Sequence, residues 1–136
     1  MKKKLNDKIS SLIQFIKFGL VGISNTIITA IVIWLLLKTL GASNLVANIG
    51  GYAAGLINSF IWNRKWTFES KEKVNKTVFK FMLTFVFSYL LQLGVLYLLL
   101  NHLLIDTYWC HLLAMAVYTA ANFILNKYYT FKTGKK

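Results

Sequence analysis

Asn63-Arg64-Lys65-Trp66-Thr67-Phe68 returns 63 residues later as Asn126-Lys127-Tyr128-Tyr129-Thr130-Phe131, with Phe60 matched by Phe123 upstream. The residue types suit one kind of ligand. Asn63 and Asn126 offer amide donors, Arg64, Lys65 and Lys127 offer cations, and Trp66, Phe68, Tyr128, Tyr129 and Phe131 offer flat apolar surfaces. Phosphate calls for cationic and amide donors, with arginine able to bind it bidentately and lysine acting as a point charge. Sugar rings stack on aromatic faces, and acyl or isoprenoid chains need apolar walls. The ordinary alternative is an aromatic belt with positive anchors at a membrane boundary. A fixed order, repeated, is more than anchoring requires.

The elements that position these motifs are themselves repeated. Lys17-Phe18 pairs with Lys80-Phe81 at the same offset, so the two halves agree at their beginnings as well as their ends. About 45 mostly apolar residues lie between opening pair and closing motif, room for two membrane-spanning helices and a turn. Nothing ionises between Phe18 and Leu37 or between Thr39 and Asn63. Phe81 to Ile105 holds only His102, and Thr107 to Asn126 only His111. A span takes about 20 helical residues. The windows therefore predict four transmembrane helices, roughly 18–37, 45–62, 81–101 and 107–126. The expected fold is an all-α membrane protein of two repeated hairpins in parallel. It forms a single domain over 1–136, with repeat 1 at about 15–68 and repeat 2 at about 78–131.

Charge sets the expected topology. Of 16 Lys and Arg, only Lys38 falls outside the N-terminal tail, the 63–80 loop and the C-terminal tail. The positive-inside rule then places both termini and the central loop in the cytoplasm. A net charge of +12 would suit nucleic acid if it formed one basic face, but these cations flank apolar spans, so no nucleic-acid partner is expected. A signal peptide is the competing reading of the N-terminus, from Lys2-Lys3-Lys4 to Gly41-Ala42-Ser43. Its apolar stretch is too long for an h-region, so the first helix is expected to stay.

Residues 5–17 place Leu5, Ile9, Leu12, Ile13 and Ile16 at helical spacing, predicting a helix in the cytoplasmic interface before the first span. The segment 69–80, with Glu69, Lys71, Glu72, Lys73 and Lys76, reads as the one sizeable soluble loop. Ala47, Gly51, Ala54, Gly55 and Asn58 form a small-residue seam of the kind that brings helices close in lipid. Helix four or a second copy is its expected partner. Polar groups inside spans should turn inward. His111, Met115, Tyr118, Asn122 and Asn126 share one stripe of helix four at 3.6 residues per turn. Asn25, Asn58, Gln92, His111 and Asn122 are the expected hydrated path.

Phe15-x-x-Phe18-x-x-Val21-Gly22, Asn58-x-Phe60-x-x-Asn63-Arg64-x-Trp66-Thr67-Phe68 and Asn122-Phe123-x-x-Asn126-Lys127-x-Tyr129-Thr130-Phe131 resemble the GtrA-like family, including its GtcA-type members. The resemblance covers nearly the whole chain. It implies four transmembrane helices and a part in glycosylation of surface polymers such as teichoic acids and O-antigen. It also implies transfer of polyprenyl-phosphate sugars, such as undecaprenyl-phosphate glucose, to the outer leaflet. Many members carry a basic residue in the third span and a lysine in the fourth. Here Ser88 and Gln92 occupy the third and His111 the fourth, a departure from that pattern.

The leading expectation is a lipid-linked sugar translocase in the bacterial cytoplasmic membrane. Its headgroup site comprises Asn58, Asn63, Arg64, Lys65, Trp66, Phe68, Asn122, Asn126, Lys127, Tyr129 and Phe131, and its path Asn25, Gln92 and His111. A membrane glycosyltransferase is the expected protein partner, and the small volume inside four helices favours a homo-oligomer. The alternative is a non-catalytic subunit that recruits or stabilises the transferase. Catalysis is not expected, because Asp7, Glu69, Glu72 and Asp106 are the only carboxylates and none lies in a span. One cysteine, Cys110, excludes an internal disulfide and a thiolate metal centre. No cofactor is expected.

Overall fold

The computed structural model describes residues 2–103 and 106–131, with side chains from Leu5 onward. It contains four long helices: α1 (Lys2–Lys38), α2 (Asn44–Trp62), α3 (Val74–His102) and α4 (Thr107–Leu125). Five residues closed in the wider π pattern extend α2 (Asn63–Thr67) and α4 (Asn126–Thr130). All four helices are long and apolar enough to cross a membrane. The chain divides into two compact units, Met1–Glu69 and Ser70–Lys136, each a helical hairpin. The boundaries of α2, α4 and their π-turns recur 63 residues apart.

In the first hairpin α1 and α2 run antiparallel. Leu36 lies by Gly50, Ile33 by Gly51 and Thr29 by Gly55, while Asn25 bonds Asn58 and Lys17 bonds Trp66. Gly41, at φ +61°, takes the left-handed conformation that glycine adopts without penalty and turns the chain between the helices. Ser43 then caps α2 by accepting from the Val46 N–H at 3.3 Å. Asp106 performs the same task for α4, accepting from the Tyr108 N–H at 2.8 Å.

The small-residue seam belongs to this hairpin. Ala47, Gly51 and Gly55 are buried, and their partner is α1, not helix four or a second copy. A Cβ on Gly51 would stand 2.9 Å from the Thr29 carbonyl, and one on Gly55 would meet the Thr29 hydroxyl. The Thr29 carbonyl cannot yield to a side chain at Gly51, and at Gly55 the Thr29 side chain would have to move, so glycine at both places favours this close approach of α2 to α1.

Two boundaries and one helix face differ from the sequence expectation. The interfacial helix expected over 5–17 is continuous with the first span, as one helix from Lys2 to Lys38 about 55 Å long at 1.5 Å per residue. No proline interrupts it. The expected 69–80 loop is short, because α3 already begins at Val74. Glu72 sits just ahead of that helix, where a carboxylate complements the positive end of the dipole. On α4 the buried seam runs through Cys110, Ala114 and Asn122, while His111 and Met115 are exposed. Cys110 and Ala114 are small enough to admit the neighbouring helix; His111 and Met115 are not. Large apolar side chains are exposed along every helix, a surface suited to lipid and unsuited to water.

Candidate functional site

At 3.6 residues per turn, each i+4 step drifts about 40° around a helix. The inward row of α2 would therefore rotate away from α1 before reaching Phe68. The π-turn absorbs the extra rotation: the Phe68 N–H bonds the Asn63 carbonyl at 2.9 Å, and the Phe131 N–H bonds that of Asn126 at 2.8 Å. π-turns of this kind concentrate at functional positions. The consequence is that Asn63, Thr67 and Phe68, and likewise Asn126, Thr130 and Phe131, are all buried.

A lysine on the opposite helix meets each turn. Lys17 donates from Nζ to the Trp66 carbonyl at 3.1 Å and lies 5.3 Å from the centre of the Trp66 ring. Lys80, 63 residues on, lies 5.5 Å from the centre of the Tyr129 ring. Beside them Phe18 packs on Phe68, ring centres 6.3 Å apart, and Phe81 on Phe131 at 6.0 Å. Each lysine also has a carboxylate neighbour. Glu69 stands 3.8 Å from Lys17, and Glu72 stands 3.0 Å from Lys80.

Next to each lysine–aromatic pair, within its own hairpin, is an open groove. That of the first hairpin, about 350 Å³, is lined by Leu20, Val21, Ser24, Ile28, Asn58, Trp62 and Trp66. That of the second, about 340 Å³, is lined by Leu83, Thr84, Phe87, Leu125 and Tyr129. Every residue of the second groove stands 63 positions after a residue of the first. Their size falls at the lower end of small-molecule sites, and their walls are mainly apolar. Groove, ring and cation together suit an amphiphile with one anionic end.

The polar contents differ. In the first hairpin Asn58 Nδ2 donates to Ser24 Oγ at 2.9 Å and to Asn25 Oδ1 at 2.7 Å. The second has Phe87, Ser88 and Ala121 at those places. In the second, the Thr84 and Thr130 hydroxyls bond each other at 2.8 Å. In the first, Val21 replaces the threonine, and Thr67 Oγ1 is buried with no partner. The second also holds a chain along α4: Asn126 Nδ2 donates to Asn122 Oδ1 at 2.6 Å, and Asn122 Nδ2 to the Tyr118 hydroxyl at 3.4 Å. Asn63 donates to Ser59 Oγ at 3.1 Å.

The sequence-predicted headgroup residues thus fall into two sets. Lys65, Trp66 and Tyr129 are exposed, and Asn58, Arg64 and Lys127 are half-buried. Lys127 lies over the Phe123 and Tyr128 rings at 5.7 and 5.4 Å. Asn63, Asn126, Phe68 and Phe131 are at most 1% exposed and Asn122 is buried. These five are closing residues of the hairpins instead of surfaces open to a headgroup. The helix end at Asn63 and Asn126 is packed, with each side chain all but fully buried where its π-turn begins. Of the expected path, Asn25 bonds Asn58, Gln92 is half-buried, and His111 is exposed. Sequence reasoning passed over Lys17 and Lys80 as ligands, although the offset had already paired them. Among the described residues no His, Cys, Asp and Glu cluster fits a metal ion.

Four apolar helices in two capped hairpins define a small multi-pass membrane protein. The chain matches the GtrA/DPMS transmembrane domain over residues 17–131, and it belongs to that family. Its relatives include the uncharacterized membrane protein YngA of Bacillus subtilis (strain 168), 37% identical over 97 residues. That alignment covers 65% of this chain and 63% of YngA. The cell wall teichoic acid glycosylation protein GtcA of Listeria monocytogenes is 25% identical over 134 residues, 95% of this chain and 90% of its own length. GtcA of Listeria innocua matches with the same identity and coverage. The protein is a multi-pass protein of the bacterial cell membrane.

Proposed function

We propose that this protein moves a polyprenyl-phosphate-linked sugar, such as undecaprenyl-phosphate hexose, from the cytoplasmic to the outer leaflet. Family membership and relatives named for teichoic acid glycosylation support a role in glycosylation of cell-wall polysaccharide. The observation that carries the finer reading is the doubled amphiphilic site: in each hairpin an apolar groove stands beside a lysine laid on an aromatic ring. A lysine supplies the point charge for a phosphate. The groove takes what adjoins the phosphate, and the rest of the isoprenoid stays in lipid. Arg64 and Lys127, half-buried in the two π-turns, add positive potential. By the positive-inside rule the segregated cations favour a cytoplasmic side for the lysine ends, where the lipid is loaded. Its consumption outside gives the direction.

The alternative of a recruiting subunit drew on the small-residue seam of α2, and α1 of the same hairpin occupies that seam. The deciding experiment is reconstitution of the purified protein into vesicles containing fluorescent undecaprenyl-phosphate hexose, with a membrane-impermeant quencher outside. Transfer without any transferase supports the proposal. Transfer at the rate of empty vesicles refutes it.

A further inference from the structure

The two hairpins serve as controls for each other. Both close around the same groove, yet only the first places an amide in it, Asn58, with a second, Asn25, bonded to that one. Since the second closes with Phe87, Ser88 and Ala121, packing does not require the Ser24–Asn25–Asn58 cluster. Hydrogen bonds in the span must be satisfied within the protein or by a ligand, because the hydrocarbon offers none.

The cluster is only partly satisfied. Both Nδ2 protons of Asn58 are used, on Ser24 Oγ and Asn25 Oδ1. Ser24 donates its own proton to the Val21 carbonyl at 2.8 Å. That leaves the Nδ2 protons of Asn25 and the Oδ1 of Asn58, one pair of donors and one acceptor, on half-buried side chains. Asn58 and Ser24 line the groove itself. A neighbouring donor and acceptor match a hydroxyl, which gives and receives one bond each. Phosphate, an acceptor only, would use Asn25 and not the oxygen.

We propose that Asn25 and Asn58, held in place by Ser24, read the hydroxyls of the transported sugar, an inference that rests on the translocation reading above. Asn25 lies eight residues beyond Lys17, about 12 Å deeper along α1. The sugar therefore reaches the amides ahead of the phosphate as the headgroup moves inward. The second hairpin, with a phenylalanine and an alanine at the corresponding places, takes phosphate and isoprenoid without regard to the sugar.

The test measures binding of two probes, undecaprenyl-phosphate hexose and undecaprenyl phosphate, to the full chain in nanodiscs. Asn25→Ser/Asn58→Ala gives the first hairpin residues that the second already folds with. The double variant is expected to bind the sugar-lipid about tenfold more weakly, the scale of one or two net hydrogen bonds, and undecaprenyl phosphate unchanged. Ser24→Ala, a milder change that removes one positioning bond, should shift sugar-lipid binding in the same direction by less. Equal loss for both probes, or loss for neither, overturns the sugar-reading role. Wild-type protein that binds both probes equally also overturns it while leaving the lipid-carrier reading intact. Wild-type protein that binds neither brings down the translocation reading, and this one with it.

Discussion

Val21→Thr is expected to stabilise the protein, against the usual direction for a hydroxyl placed in a buried position. Thr67 is 2% exposed and its Oγ1 has no partner, a condition that costs about 1–3 kcal/mol for a buried polar group. The second hairpin displays the remedy, since Thr84 stands where Val21 stands and bonds Thr130 at 2.8 Å. A threonine at 21 would lose about 0.8 kcal/mol of apolar burial for the replaced methyl. Pairing the lone hydroxyl would recover about 2 kcal/mol, the middle of that range. The balance is a gain of about 1 kcal/mol, or roughly 2–4 °C in Tm on the scale of soluble domains of similar size. Thr84→Val should do the opposite and strand Thr130. Thr84→Val/Thr130→Val, which removes both hydroxyls, should recover most of that loss. The assay is thermal and SDS-induced unfolding in detergent, followed by helical circular dichroism. If Val21→Thr lowers the Tm, or if Thr84→Val leaves it unchanged, the paired-hydroxyl account fails.

Gly55→Val should sharply reduce folded protein, because its side chain would run into Thr29; normal yield by size exclusion would contradict the α1–α2 seam. Asn126→Asp would place a carboxylate where exposure is 0%, at a cost of several kcal/mol after relaxation, and membrane abundance by immunoblot should collapse. For topology, a cysteine at exposed Lys73 in a Cys110→Ser background should resist impermeant maleimide in intact cells. Ser70 is too buried for that purpose, and Thr133 lies outside the described residues. Lys17→Gln should weaken undecaprenyl phosphate binding at least fivefold, on the scale of a hydrogen bond to a charged group; unchanged binding would remove the phosphate role of that lysine.

The spans were legible because the absence of ionisable residues marks hydrocarbon directly. The expected 45–62 and 107–126 differ from α2 and α4 by a single residue at one end. The starts of α1 and α3 were not legible from the same signal. A helix can continue beyond the hydrocarbon, so an apolar window gives the depth of the membrane and not the length of the helix. The closing motif was found but its sides were misassigned. Phe68 and Trp66 are both aromatic and within four residues of Arg64 and Lys65, and composition cannot tell the one that packs on Phe18 from the one left 38% exposed. Extending a 3.6-residue period through Asn63 loses phase at the π-turn.

The paired lysines also differ in how far their charge is already answered. Lys80 has Glu72 at 3.0 Å, both side chains about 30% exposed or less, close enough for a charge-assisted hydrogen bond. Glu69 is 3.8 Å from Lys17 and 74% exposed, so water and salt screen most of that attraction. An arriving phosphate must displace a close carboxylate at Lys80, whereas at Lys17 it meets a weakly held carboxylate and the neutral Trp66 carbonyl at 3.1 Å. The available cation therefore belongs to the hairpin that holds the open amides. One scaffold, used twice, thus carries two unequal grooves: the first has a weakly paired cation and polar side chains, and the second has a paired lysine and Phe87 in its wall.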